Sequence, residues 1–138
     1  MKLIPVSKVM TEQVRSIAVN EPLIEVRNLM DEWNINHLPV KDGEKLVGLI
    51  SRTDIQQVSY ICDYLGEKLE DSIIFKTLSI DEVMTKNITF LSSKDSIMEA
   101  VKIFSQVSFH CLPIIDNGEL VGIVSSKDIF RYLLKTSS

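Results

Sequence analysis

The sequence predicts a mixed α/β (α+β) fold built from two copies of one β-α-β-β-α unit. Three observations carry this. First, motifs recur at one constant spacing. Val9-Met10-Thr11 returns as Val83-Met84-Thr85, Leu38-Pro39 as Leu112-Pro113, Leu46-Val47-Gly48 as Leu120-Val121-Gly122, and Asp54-Ile55 as Asp128-Ile129. Asp42 matches Asp116 and Ser51 matches Ser125, every pair being 74 residues apart with no gap. Second, each copy carries an apolar stripe at helical spacing, followed by two short apolar runs meeting at a turn. Third, half of a 138-residue chain is near the size where a core is marginal, so the halves are expected to bury surface together. The repeats divide the chain into 1–65, a packed connector at 66–79, and 80–138.

The elements follow in order. Ser7 to Met10, and Ile80 to Met84, read as short helical turns. Val14–Ala18 and Ile88–Ser92 read as short strand-like runs. In the first repeat a helix then starts at Pro22, placed just inside the start, where a missing N–H costs nothing. Leu23, Val26, Leu29, Met30 and Trp33 form its apolar stripe, which is expected to face a core or a dimer interface. In the second repeat Asp95 is the expected N-cap, and Ile97, Ala100, Val101, Phe104 and Val107 repeat the stripe. Leu38–Val40 and Leu112–Ile115 read as strands. Asp42-Gly43 and Asn117-Gly118 tolerate positive φ and close hairpins, with Leu46–Ile50 and Leu120–Val124 as the return strands. Ser51 and Ser125 cap final helices. The first of these extends toward Leu65 and stops at Gly66. The connector holds Ile73, Ile74 and Phe75, so it is expected to pack. Lys135 to Ser138 is expected to fray.

Charge and composition exclude several functions. The chain carries 15 Lys and Arg against 19 Asp and Glu, a net charge of −4, which offers no footprint for duplex nucleic acid. No stretch approaches the roughly 18 apolar residues of a membrane span, and the start has no signal-peptide pattern, so a cytoplasmic location is expected. Cys62 and Cys111 form no CxxC or zinc-ligand spacing, and both read as small buried hydrophobes. There is no nucleophile–base pair, no carboxylate pair with an evident role and no Walker-type loop, so no enzyme and no required cofactor are expected. A mean hydropathy of +0.13 points to apolar surface covered by another copy.

Taken together, the Val-Met-Thr turn, strand, helix, Leu-Pro-Val/Ile, Asp turn, Leu-Val-Gly and Ser-x-x-Asp-Ile order resembles the CBS domain, named after cystathionine β-synthase. Two in tandem resemble a CBS pair, or Bateman module, and the likeness runs from about Ile4 to Leu134. The chain also resembles the stand-alone CBS pairs labelled as acetoin-utilisation proteins. The resemblance implies sheets packed face to face about a pseudo-twofold axis, with helices outside and two clefts where the repeats meet. It implies a regulatory ligand among AMP, ADP, ATP and S-adenosylmethionine, a homodimer forming a disc of four CBS units, and an unidentified regulated protein.

The resemblance also implies site residues. Asp54 matches the ribose contact, with Thr53 and Ser51 beside it at a helix start suited to phosphate. Asp128, Lys127 and Ser125 are the second set. Lys127 stands where a hydroxyl is usual, and either brings a cation to phosphate or marks a degenerate cleft. His37 and His110 fall in the zone before each Leu-Pro, where phosphate contacts are common. Ser16, Ile17 and Ala18, with Phe90, Leu91 and Ser92, match the adenine pocket. Each has a plainer role too: the carboxylates suit any helix N-terminus, and the strand residues suit core packing. The functional expectation is a nucleotide-sensing module. The alternative is a ligand-free scaffold that engages a partner protein.

Overall fold

In this computed structural model, which describes residues 4–68, 72–108 and 110–137, the first repeat's strands form a three-stranded sheet. β1 (Ile17–Ala18) runs parallel to β2 (His37–Asp42), and β2 pairs antiparallel with β3 (Lys45–Ser51), giving the order β1-β2-β3. The second repeat forms a two-stranded sheet from β4 (Cys111–Asp116) and β5 (Glu119–Ser125). The run expected over Ile88–Ser92 supplies only an isolated bridge, Leu91 to Ile114, and Val14–Ala18 shortens to β1.

The two hairpins match residue for residue, including a register shift after Val40 in one and after Ile114 in the other. Their turns differ. Gly43 alone takes positive φ in the first, whereas Asn117 and Gly118 both do in the second. Gly at the first central position suits a II′ turn and Asn-Gly a I′ turn.

Helices cover these sheets. α1 (Leu23–Trp33) ends at Asn34 in the left-handed region, and α2 (Arg52–Tyr64) ends before Leu65, with Gly66 at positive φ just beyond. Two short helices follow, α3 (Ile73–Thr77) and α4 (Ile80–Val83), then α5 (Ile97–Gln106) and α6 (Ser126–Thr136). Three local expectations are corrected. Pro22 is the N-cap of α1, one residue outside the helix. The N-cap of α5 is Ser96, whose hydroxyl accepts from Glu99 N; Asp95 instead accepts from Ser92 N and closes the preceding turn. Lys135 and Thr136 belong to α6, held by the Thr136 hydroxyl bonding back to the Tyr132 carbonyl, while Ser138 lies outside the described residues.

The compact units are cut differently from the repeats at 65/66 and 79/80. One unit joins the segment up to Val14 to everything from Thr89 onward, and the other is Arg15–Ile88. In the Arg15–Ile88 unit, Leu23, Val26, Met30, Leu38, Val40 and Ile50 pack with Phe75, Ile80 and Met84. In the other unit, Val6 packs with Leu91, Ile97, Leu112, Ile114 and Ile129. The Val-Met-Thr motifs explain the cut. Thr85 exchanges backbone hydrogen bonds with Leu49, and Thr11 does so with Ile123. Each motif therefore extends the hairpin of the opposite repeat. A Cβ on Gly48 would collide with Met84 Sδ, and one on Gly122 would lie 2.6 Å from Met10 Sδ. Both Leu-Val-Gly glycines make room for a methionine.

The connector packs as expected. Phe75 is buried, and Ser72 caps α3 by accepting from Phe75 N while donating to Glu67. The buried Cys62 thiol lies 2.9 Å from the same hydroxyl. Residues 69–71 of the connector lie outside the described residues.

Candidate functional site

Each repeat builds the same local frame. At the end of β3, Ser51 leaves the sheet in extended conformation and caps α2. Its hydroxyl accepts from Asp54 N at 3.2 Å, and Asp54 Oδ2 accepts from Ser51 N at 2.8 Å. This is a capping box, which satisfies two otherwise orphaned backbone donors. Ser125 and Asp128 repeat it at 3.1 and 2.9 Å. The aspartates are thus structural caps, and among the described residues no hydrogen bond is seen to Oδ1 of either. The cap engages one oxygen of each carboxylate, and the half-buried side chains remain partly open to solvent.

The strand register brings further candidates to the same end of the sheet. His37 pairs directly with Ser51, and Cys111 with Ser125. The two histidines are therefore not equivalent: His37 aligns with Cys111, and His110 with Asn36. His37 is half-buried, whereas His110 is exposed and its carbonyl accepts from Ser126 N. Thr53 and Lys127 are both exposed in the first turns of their helices.

The adenine-pocket candidates lie farther off. β1 pairs with Val40 and Lys41, on the edge of β2 away from β3 and three residues beyond His37, or about 10 Å along the strand. Ile17 is buried in the core between half-buried Ser16 and exposed Ala18. In the second repeat Leu91 is buried, and its N–H and carbonyl are both engaged by β4. Ser92 is held in a turn: its N–H donates to Asp95, and its hydroxyl accepts from Lys94 N. Phe90, which stands among the adenine-pocket candidates, is 53% exposed.

Two sets of contacts that sequence reasoning passed over organise the loops around these frames. The Arg52 guanidinium donates to Asp31 Oδ1, Asn36 Oδ1 and the carbonyls of Met30 and Ile35. It thereby closes the C-terminal end of α1 and anchors the loop leading to His37. A cation is favoured there by the helix dipole. The hydrogen bond from Arg52 holds the Asp31 carboxyl below the usual carboxylate range. The aligned residue in the other repeat is Ser126, which has no such reach. Asp116 instead grips the loop after Leu91, accepting from both the hydroxyl and the N–H of Ser93, which lowers its own pKa. A repeated Asp was legible at 42 and 116; the serine that it holds was not.

Chemistry beyond binding finds no support in the cysteines. Both are free and buried, and burial, aided by the Asp128 charge, pushes the Cys111 thiol well above its ordinary value. Such a thiol stays protonated and unreactive. Among the described residues no group of three His, Cys, Asp or Glu could hold a metal ion, and no helix is long and apolar enough to cross a membrane.

Known proteins share this pattern. A family profile for the CBS domain matches residues 6–60 and 80–135. By sequence the chain is similar to inosine-5'-monophosphate dehydrogenase of Korarchaeum cryptofilum, 31% identical over 118 residues, covering 85% of this chain and 22% of that protein. It is also similar to an uncharacterised 17.7 kDa protein of Acidianus ambivalens, 31% identical over 131 residues, covering 94% of this chain and 73% of that one. The chain thus spans under a quarter of the dehydrogenase's length. By structure it is similar to a Vibrio cholerae protein assigned to acetoin utilization, AcuB, with a TM-score of 0.78 at 23% identity, covering 97% of this chain and 93% of that one. The CBS domain pair of MJ0100, solved with 5'-methylthioadenosine and S-adenosyl-L-methionine, gives 0.79 at 24% identity over 97% of this chain and 98% of that one. CBSX2, solved with AMP, gives 0.79 at 22% identity over 98% of this chain and 99% of that one.

Proposed function

Since this chain belongs to the CBS-domain family and carries two CBS repeats, we propose that it is a regulatory module binding an adenosyl compound through the Asp54 frame, the Asp128 frame or both. The ligand class is AMP, ADP, ATP or S-adenosylmethionine. The observation that carries the reading is the duplicated cap, in which each aspartate commits one oxygen to the backbone and leaves the other for a hydroxyl donor such as a ribose. His37 or His110, with Ser51, Thr53, Ser125 or Lys127, would meet the phosphates. Ser16, Ile17 and Ala18 would flank the base at the first repeat. At the second, Leu91 is paired to β4 as Ile17 is to β2, and Ser92 is less suited to that role because its N–H and hydroxyl are engaged locally. The bound and free forms must differ in how a regulated protein reads them, since a ligand biases only states to which it binds unequally. We propose also that the module works as a homodimer in the cytoplasm and catalyses no reaction.

A second reading is a ligand-free scaffold, favoured by the local engagement of Ser92. Thermal melting with each of the four ligands separates the two. A ligand that binds only the folded state stabilises by about 2.7 kcal/mol at a hundredfold excess over Kd. Asp54→Asn and Asp128→Asn remove the charge while keeping a cap-competent oxygen. Loss of the shift in one variant assigns the ligand to that frame. No shift with any of the four at millimolar concentration favours the scaffold.

A further inference from the structure

The two frames share cap, register and bulge, so their backbones offer a ligand the same surroundings. Their side chains do not. In the Asp54 frame the nearest cation in sequence, Arg52, has four acceptors of its own and is not free to meet a ligand. The residue between Arg52 and Asp54 is the neutral Thr53. In the Asp128 frame the clamp is missing, because Ser126 stands in place of Arg52, and Lys127 stands in place of Thr53. Lys127 is exposed, and among the described residues it forms no hydrogen bond or ion pair, not even with the adjacent Asp128. His110, also exposed, sits beside the same helix start through its carbonyl bond to Ser126.

We infer that the frames are selective by ligand charge: Lys127 makes the Asp128 frame the one that takes a nucleoside di- or triphosphate, whereas the Asp54 frame takes a monophosphate or a phosphate-free adenosyl compound. This rests on the adenosyl-binding reading above. Each added phosphate brings negative charge, and only the Asp128 frame holds an uncommitted ammonium next to its aspartate. Charge-assisted hydrogen bonds to a phosphate are among the stronger polar contacts a surface site can make. Arg52 cannot serve this way without releasing the α1 end and the loop before His37.

The test is calorimetric titration of AMP and of ATP, in EDTA so that no divalent ion masks the phosphate charge. In Asp54→Asn protein, where only the Asp128 frame is intact, ATP is expected to bind roughly tenfold more tightly than AMP. Adding Lys127→Thr should bring the two affinities together, and Lys127→Arg should keep them apart. In Asp128→Asn protein, where only the Asp54 frame is intact, AMP should bind more tightly than ATP until Thr53→Lys turns the preference toward ATP. All three substitutions at 53 and 127 are at exposed positions and leave the cap intact. If Lys127→Thr leaves the ATP to AMP ratio unchanged while AMP still binds, charge selectivity is overturned and adenosyl binding stands. If the unaltered protein binds neither nucleotide nor S-adenosylmethionine, both are overturned.

Discussion

At the scale of the residue, one side chain decides how firmly the loop before His37 is held. Arg52 joins two backbone carbonyls, an amide and a carboxylate with one planar fork. Its pairing with Asp31 alone would matter little, since exposed ion pairs contribute at most about 1 kcal/mol. The bond to the Ile35 carbonyl matters more, because it engages a loop acceptor just past the helix end, whereas the Met30 carbonyl already accepts from the N–H groups of Asn34 and Ile35. Arg52→Ala is therefore expected to lower stability by about 1–2 kcal/mol in urea unfolding, and Asp31→Ala by less than half of that. Arg52→Lys should fail to restore it, since a single ammonium lacks the fork geometry. Equal losses for Arg52→Ala and Asp31→Ala would show that the ion pair, not the carbonyl clamp, is what counts.

At the scale of the element, the Val-Met-Thr turns and the Leu-Val-Gly strands are two halves of one joint. Met84 packs against Gly48 within one unit, and Met10 against Gly122 within the other. A methyl at Gly48 would meet the methionine side chain well inside contact distance, so Gly48→Ala is expected to cost about 1–3 kcal/mol by overpacking. Met84 is itself buried, so Met84→Ala is also destabilising. Residues in contact do not add independently. The double variant Gly48→Ala, Met84→Ala should be less destabilised than the sum of the singles, as a double-mutant cycle would read it. Strict additivity would mean that the two do not share a joint.

At the scale of the whole molecule, apolar surface remains on the last helix of each repeat, α2 and α6. On α2, Tyr60, Ile61 and Tyr64 are exposed, Tyr64 to 90%, with Leu65 exposed just past its end; on α6, Phe130 and Leu134 are exposed, Leu134 to 73%. Large apolar side chains grouped on a helix mark a surface that is covered by a partner, and this supports the proposed homodimer. Sedimentation of the unaltered protein is expected to give a dimer. Tyr64→Glu or Leu134→Glu should shift it toward monomer without unfolding it. A monomer at the outset, or a dimer indifferent to both charges, would remove self-association from the account.

The sequence by itself determined the duplication, the hairpins, the caps at Ser51 and Ser125 and most of the helix limits. Those features rest on spacing and on local backbone preference, and both are written in neighbouring residues. The aspartates of the two frames were legible because they recur at the repeat spacing, suit a helix N-terminus and match the ribose contact of the family; the capping box that each closes with the serine three positions earlier came only with the structure. Only the tertiary structure decided which partner each element takes. Nothing local says that Val6 packs with Ile129, or that Thr85 pairs with Leu49, because in a duplicated chain both repeats offer the same motif. The Arg52 clamp was likewise hidden, since it joins residues up to 22 positions apart. The engagement of Leu91 and Ser92 was hidden too, because whether a strand residue offers its polar groups to a ligand depends on which neighbour has already taken them.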